Sequence, residues 1–499
     1  MITFFIVLAI YFAIVFAIGI CAARATKNNS DYVLGGRSLS PAITALGAGA
    51  SDMSGWLLLG LPGAVFVSGL DQLWLPVGLS IGAYLNWRFV AKKLRIYTEN
   101  VGDALTIPSY FDARFGHGNR VLRLMTAVVI LIFFTLYAAA GFVSGAYLFQ
   151  VLFHLPYHTA VWMGAIFLVA YTSIGGFLAV NWVDFFQGSL MFFALLITPL
   201  ATWFHLEHSA DFTLQLPAHY FSVVSNQTSL IAIVSLLAWG LGYFGQPHIL
   251  VRFMAIRDVR GMKVARRICM SWMVISLLGA FAVGITGAIY YATRGHQFDN
   301  EMVFLELAKG LFPAWIAAIL FAAVLSAVMS TIAAQLLASS SALTEDIAHF
   351  FEIQLSEKAK VWFGRGAVIA VSLVAMIFAS DPQSTILSIV GHAWAGMGAA
   401  FGPVILFSLF WRRCTARGAV AGMTVGAIMV LVWIFGHSQW PQSVIFSLYE
   451  IIPGFILASL ALVVVSLRDE MPCKQTLHHY DEVLRHCHEP DYTGAPIQE

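Results

Sequence analysis

The chain has 499 residues, of which 59% are hydrophobic and only 11% are charged, against roughly 45–50% apolar and about 25% charged in soluble proteins. Its formal net charge is +1, which argues against a nucleic-acid-binding role. The composition is that of an integral membrane protein, and no hydrophilic stretch is long enough for a separate soluble domain.

A bilayer-spanning helix needs about 20 mostly apolar residues. Thirteen segments qualify, near 2–23, 41–69, 71–90, 122–152, 158–180, 184–206, 229–251, 268–292, 313–342, 362–380, 386–411, 416–436 and 446–467. The first has no basic n-region and is followed by Arg24 and Lys27 rather than a cleavage site, so it reads as a retained span. Lys and Arg are held back on the cytoplasmic side of membranes. With the N-terminus outside, alternate loops collect Arg24/Lys27/Arg37, Arg88/Lys92/Lys93/Arg95, Arg252 to Arg267, Lys358/Lys360/Arg365 and Arg412/Arg413/Arg417, and 25 of the 27 basic residues fall inside. Only Arg294 and Lys309 are external, and the C-terminus is cytoplasmic. Cys21, Cys269, Cys414, Cys473 and Cys487 are odd in number and lie in spans or on the inner side, which implies no disulfide framework. The tail, 468–499, sets His478, His479, His486 and His488 beside Cys473 and Cys487 without zinc-type spacing, and reads as solvated.

Two spans are interrupted. The second, "ALGAGASDMSGWLLLGLPGAVF", carries Gly47, Gly49, Gly55, Gly60, Pro62 and Gly63 around a carboxylate, Asp52. The seventh contains "AWGLGYFGQPH", in which Gly240, Gly242 and Gly245 have the spacing of a dinucleotide-binding turn but sit in an apolar segment without the βαβ unit such a turn requires. Backbone leaves the helix at membrane depth only where it is buried in protein or lines a watery cavity. The two breaks lie five spans apart, as expected if spans 2–6 (about 41–206) and 7–11 (about 229–411) are inverted repeats, each opening with a discontinuous helix. The glycines would permit unwinding and Pro247 removes a backbone donor, which frees carbonyls and amides to bind a ligand. Small residues also serve close helix packing, but the paired positions, Asp52, and the neighbouring Trp56 and Trp239 favour a binding site.

The ninth span, "AAVLSAVMSTIAAQLLASSSALTED", is rich in hydroxyls. Ala327, Ser330 and Thr331 stand three and four residues apart and present a carbonyl and two hydroxyls on one helical face. Ala50 and Met53, flanking the second-span break, could complete a five-oxygen cage suited to sodium. Back-bonding of the hydroxyls to carbonyls one turn earlier is the alternative, and spacing alone does not separate the two.

The chain resembles the solute:sodium symporters. The resemblance runs from about residue 5 to 468 and is carried by "DYVLGGRSLSP", "GASDMSGWLLLGLPGAVF", "YTSIGGFLAVNWVDFFQ", "AWGLGYFGQPHIL", "AVMST" with "SSALTED", and "AWAGMGAAFGP". It implies an all-α, leucine-transporter-type fold of 5+5 helices with peripheral helices, sodium as the co-transported ion, and alternating access in a bacterial inner membrane. For the proline-transporting branch, which it resembles most, it implies L-proline as substrate and no obligate protein partner. Carried over by position, the family's sodium site falls on the backbone of Ala50, Met53 and Ala327 and the hydroxyls of Ser330 and Thr331. The substrate pocket falls on Trp56, Tyr137, Trp239, Tyr243 and Pro247. Asp52, Ser54, Gly55, Arg37 and Asp184 match positions tied to sodium dependence, the unwound region or coupling. Proline is a small zwitterion with a rigid apolar ring, which suits aromatic walls with a few convergent polar groups and half-helix N-termini that attract its carboxylate.

The chain departs from the family pattern at Val183, where Thr is frequent. His392, in "IVGHAWAG", reads as a packed, hydrogen-bonded histidine or as a tuner of pH dependence. Another small solute on the same chassis (a different amino acid, pantothenate, a monocarboxylate or a sugar) is the first alternative, and a channel or transporter-like sensor the second. An enzyme is not expected, since the sequence has no Ser/His/Asp order, metal motif or nucleotide loop.

Overall fold

The computed structural model describes residues 2–25, 29–116, 120–172, 177–207, 216–224, 228–292, 294, 295, 297–343, 357–381, 385–489 and 492. Lys27, part of the "YTSIGG" motif and the end of "SSALTED" lie outside these residues. The named helices are α1 (Ile2–Ala25), α2 (Pro41–Asp52), α3 (Leu61–Ser68), α4 (Trp74–Leu85), α5 (Ala91–Asn100), α6 (Ile107–Phe115), α7 (Arg120–Phe153), α8 (Tyr157–Thr172), α9 (Phe177–Glu207), α10 (Leu230–Ala238), α11 (Pro247–Ala255), α12 (Met262–Ala292), α13 (Val303–Leu311), α14 (Ala314–Ser341), α15 (Glu357–Ala379), α16 (Ile386–Phe410), α17 (Ala416–Gln439), α18 (Ile451–Arg468) and α19 (Lys474–His488).

Helix starts follow local chemistry. Ser40, Ser229, Thr385 and Thr415 each cap the next helix by accepting a backbone N–H, and Pro41 and Pro247 occupy first-turn positions whose N–H would be unpaired anyway. Among the described residues, ten helices are long and apolar enough to cross a membrane, and eleven with the pair Leu230–Gly245 and Pro247–Ala255, which is bent by 47°. The sequence reading gave thirteen. The difference has two sources: α2 stops after 12 residues while the helical run beyond its break continues over Trp56–Asn100, and α8 has only 16 described residues. α7, α14 and α16 are buried along most of their length, whereas α1, α15, α17 and α18 turn most side chains outward, so the site lies among the former.

The basic loops around Arg37, Arg95 and residues 252–267 meet. Leu39 pairs with Ile256 in a short parallel bridge that ties the start of α2 to the end of α11. Arg37, with backbone in the left-handed region, donates to Asp103, to the Thr98, Ala104 and Met254 carbonyls and to the Thr98 hydroxyl. Arg37 is therefore a staple of these loops and touches neither candidate site.

The tail is not solvated throughout as its composition suggests. α19 is docked: Thr476, Tyr480 and Val483, three and four residues apart, bury one face, and the helix packs on α5 and α6. Lys92 donates to the Cys487 carbonyl at 2.7 Å, Tyr492 to Asn100 Oδ1 at 2.6 Å, and Arg412 pairs with Asp481 at 2.7 Å.

Candidate ion and solute site

The interruption after α2 follows from its hydrogen bonds. An unbroken helix would give the amides of Ser54 and Leu57 to the carbonyls of Ala50 and Met53. They go instead to the carbonyls of Asp52 and Ser54, each at 3.0 Å. Ala50 and Met53 thus lose their helical donors inside the bundle, the condition for a backbone cation site. The chain re-enters helical form through a π-turn, Trp56–Gly60, of a kind frequent at functional sites.

Asp52 is the hub of this break. Its carbonyl accepts from Trp56 Nε1 at 3.2 Å and from the Tyr137 hydroxyl at 3.0 Å, and its carboxylate Oδ2 accepts from the Tyr243 hydroxyl at 2.5 Å. The other carboxylate oxygen, Oδ1, is buried without a hydrogen-bond partner. Trp56, Tyr137 and Tyr243 are thereby brought together from both halves of the chain. Ser54 Oγ accepts from the Trp56 amide at 3.5 Å, and a Cβ on Gly55 would overlap the Ser144 side chain, so only glycine fits there.

The second break is built differently from the sequence reading. Trp239–Gly245 forms a 3₁₀ segment ending at extended Gln246, and none of its glycines has positive φ. They are required by close approach: a Cβ on Gly240 would overlap the Gly78 backbone, on Gly242 the Trp394 indole, and on Gly245 the backbone of α16. Packing and interruption therefore coincide at this segment. Trp394, which the sequence reading missed, donates to the Trp239 carbonyl at 2.7 Å and meets the Tyr243 ring edge-on at 5.0 Å. Trp239 itself is stacked on Tyr449 at 5.3 Å.

On α14, Ser330 donates to Asp184 Oδ1 at 2.5 Å, and Asp184 Oδ2 accepts from Arg252 Nη2 at 3.1 Å, with all three side chains buried. Arg252 also donates to the His248 carbonyl. Thr331 Oγ1 is buried without a partner, as are the Gln335 amide and Ser339 Oγ one and two turns further along the same face. The back-bonding alternative fails for Thr331 and Ser330, since neither hydroxyl donates to an α14 carbonyl in these hydrogen bonds. α14, which carries Ala327, Ser330 and Thr331, also packs against α2 and against the π-turn.

A pocket opens beside Arg252, lined by Thr106, Ile130, Phe177, Pro247, His248 and Ala334 among others. Of the predicted solute residues only Pro247 reaches it; Trp56, Tyr137, Trp239 and Tyr243 do not line it. Arg252, His248 and Gln246 were legible only as a loop cation and motif letters, and their burial is what marks them.

Glu301 ties the segment before α13 to α16. Its carboxylate accepts the amides of Ile386 at 2.8 Å and Leu387 at 3.1 Å, at the N-terminus of α16. Burial pushes this carboxyl up to about 7, against the pull of the two amides. His392 Nδ1 meets Glu450 Oε1 at 2.6 Å, a partly exposed pair rather than a packed core histidine.

An all-helical bundle with two interrupted helices facing each other across a buried carboxylate defines a secondary transporter of the leucine-transporter type. The sodium:solute symporter family model matches residues 32–426, and the chain belongs to this family. The sodium/proline symporter of Escherichia coli (strain K12) is 50% identical over 480 residues, covering 94% of each chain. The high-affinity proline transporter PutP of Bacillus subtilis (strain 168) is 48% identical over 471 residues, covering 93% of this chain and 98% of that one. In fold, the chain is similar to a Na⁺-coupled sialic acid symporter at a TM-score of 0.77 with 17% identity, covering 95% of this chain and 99% of that one. Mhp1, a nucleobase-cation-symport-1 family transporter, aligns at a TM-score of 0.55 with 14% identity, over 91% of this chain and 99% of that one.

Proposed function

We propose that this protein imports L-proline together with sodium by alternating access, from a bacterial inner membrane in which its N-terminus is outside and its C-terminus cytoplasmic. The observation that carries the sodium half is the diversion of the Ser54 and Leu57 amides, which leaves the Ala50 and Met53 carbonyls without helical donors on a helix that packs against α14, the helix of Ser330 and Thr331. These four residues and Ala327 form the sodium cage in this reading. The proline half is supported by the names of relatives 44–50% identical over more than 90% of this chain.

In the mechanism, proline binds at the facing breaks. Trp56, Tyr137 and Tyr243 form its wall around Asp52, with Trp239 and Pro247 closing the second-repeat side. The aromatic faces pack the apolar ring and attract the secondary ammonium, while the N-terminus of α11 favours the carboxylate. Ser54 and Gly55 shape the interruption. Asp184, held by Arg252, orients the Ser330 hydroxyl, and Arg37 steadies the inner end through which both ligands leave. One sodium entering down a potential of about 100 mV gains roughly 2.3 kcal/mol, and a tenfold gradient adds about 1.4 kcal/mol. At one-to-one stoichiometry these sustain a proline accumulation of roughly several hundredfold.

The test is uptake of labelled proline into proteoliposomes with and without an inward sodium gradient, with other amino acids, pantothenate and monocarboxylates as competitors. Gradient-dependent uptake displaced only by proline-like compounds is expected. Uptake indifferent to sodium, or a better competitor of another class, would overturn the assignment.

A further inference from the structure

α1 lies outside the two repeats and presents a mostly apolar surface outward, with Ile2, Phe5, Ile6, Ile10, Ile14, Phe16 and Ile20 exposed. On its inner face Tyr11 is buried, and its hydroxyl is the meeting point of three helices. Gln187 Nε2 of α9 donates to it at 2.7 Å, Ser326 Oγ of α14 donates to it at 3.0 Å, and it donates in turn to Met329 Sδ of α14 at 3.8 Å. Its ring packs edge-on against Phe12 at 5.1 Å and beside Phe186 at 6.1 Å.

The positions of these partners are specific. Gln187 stands three residues from Asp184 on α9, and Ser326 stands four residues from Ser330 on α14, so each shares a helix face with one member of the Ser330–Asp184 hydrogen bond. Met329 directly precedes Ser330. Two hydrogen-bonded rungs therefore join α9 to α14, one helical turn apart: Asp184 to Ser330 directly, and Gln187 to Ser326 through the Tyr11 hydroxyl. Two rungs fix the rotation of α14 about its axis where one would act as a pivot, and a ligand oxygen must be held within about 0.5 Å to keep its place in an ion cage.

We propose that Tyr11 is a positioning residue for the sodium site: its hydroxyl sets the rotation of α14 relative to α9 and so presents Ser330 and Thr331 to the ion. The first, peripheral helix then belongs to the ion-binding machinery although it contributes no ligand. This rests on the sodium cage proposed above. Helix association alone would also employ a buried tyrosine with interhelical bonds, but that role is served by the ring and its neighbours as much as by the hydroxyl.

The experiment compares Tyr11→Phe, which removes only the hydroxyl, with Phe12→Leu, which trims ring packing on the same helix, and with Thr331→Ala. Proline uptake in proteoliposomes is measured across a sodium series, alongside thermal unfolding of the purified proteins. For Tyr11→Phe the half-saturating sodium concentration should rise about 3- to 10-fold, an effect on the order of a single hydrogen bond. Its proline KM should return to the parent value at saturating sodium. For Phe12→Leu the sodium dependence should stay at the parent value, whatever its unfolding temperature. An unchanged sodium dependence in Tyr11→Phe, or an equal shift in Phe12→Leu, would overturn the inference. If Thr331→Ala itself leaves sodium activation unchanged, the underlying cage fails; if Thr331→Ala shifts it and Tyr11→Phe does not, only the role of Tyr11 fails.

Discussion

The Tyr243 hydroxyl donates to the Asp52 carboxylate at 2.5 Å, a bond between residues 191 positions apart that joins the two interrupted helices directly. Since the other Asp52 oxygen has no partner, Tyr243 is the one hydrogen bond to this carboxylate among the described residues. Removing one partner of a buried pair costs about 1–3 kcal/mol. Tyr243→Phe should therefore weaken apparent sodium and proline affinities together, by roughly 5- to 150-fold in their product. Asp52→Asn should insert normally in the membrane and lose most sodium-driven uptake, because an ionisable group inside a span is costly and is kept for function. Parent-like sodium activation in Asp52→Asn would remove Asp52 from the site.

Trp239 is held by Tyr449 stacked at 5.3 Å and by the Trp394 hydrogen bond to its carbonyl. Trp239→Ala should raise the proline KM by roughly 2- to 30-fold, corresponding to an aromatic contact of about 0.5–2 kcal/mol. Sodium activation at saturating proline should stay near the parent value. Binding of labelled proline equal to the parent would put the solute wall elsewhere.

Arg252 and Asp184 form a buried ion pair at 3.1 Å. Removing one partner leaves a buried charge at a cost of about 3–5 kcal/mol, whereas removing both is far milder. Arg252→Met should lower the thermal midpoint and the yield of folded protein, and Asp184→Asn in the same chain should restore much of both without restoring normal sodium dependence. Equal destabilisation of the single and double variants would mean that the pair is not the source of the loss.

The Glu301 contact with α16 should depend on pH. Its carboxyl is pushed by burial to about 7 in the docked arrangement, above its ordinary value of 4.5. The docked state thus holds a proton more tightly than the undocked one, so docking is favoured below about 4.5 and weakens as pH rises through 7. Hydrogen exchange of residues 298–312, corrected for intrinsic rates, should report increasing opening from pH 5 to 8, and Glu301→Gln should flatten that profile. A profile unaffected by the substitution would contradict the assignment.

Much of the candidate site was legible because interruption in a membrane span has few innocent causes. The α2 break, Asp52 and the hydroxyls of α14 could be found from glycine, carboxylate and Ser/Thr letters in apolar segments. Other features depend on long-range packing that local pattern does not encode. Gly242 reads as a flexible residue, but its need arises from Trp394, some 150 positions later. Arg252 counts as one more inner cation until burial beside Asp184 distinguishes it from its neighbours. The docked face of α19 did have a period, through Thr476, Tyr480 and Val483, but the histidines around it drew the reading toward a solvated tail. The stacking of Trp239 on Tyr449 is another long-range contact that the local motif does not encode.

The claim that Ser330 and Thr331 hold sodium beside the freed Ala50 and Met53 carbonyls is tested most directly by the proline KM of Thr331→Ala across a sodium series. The substitution removes one of about five ligand oxygens while favouring the helix, so the protein should fold. If sodium and proline raise each other's affinity by one shared factor, the variant should show a weak proline KM at low sodium that recovers fully as sodium is raised. A proline defect that persists at saturating sodium, or an unchanged sodium dependence, would contradict the sodium cage.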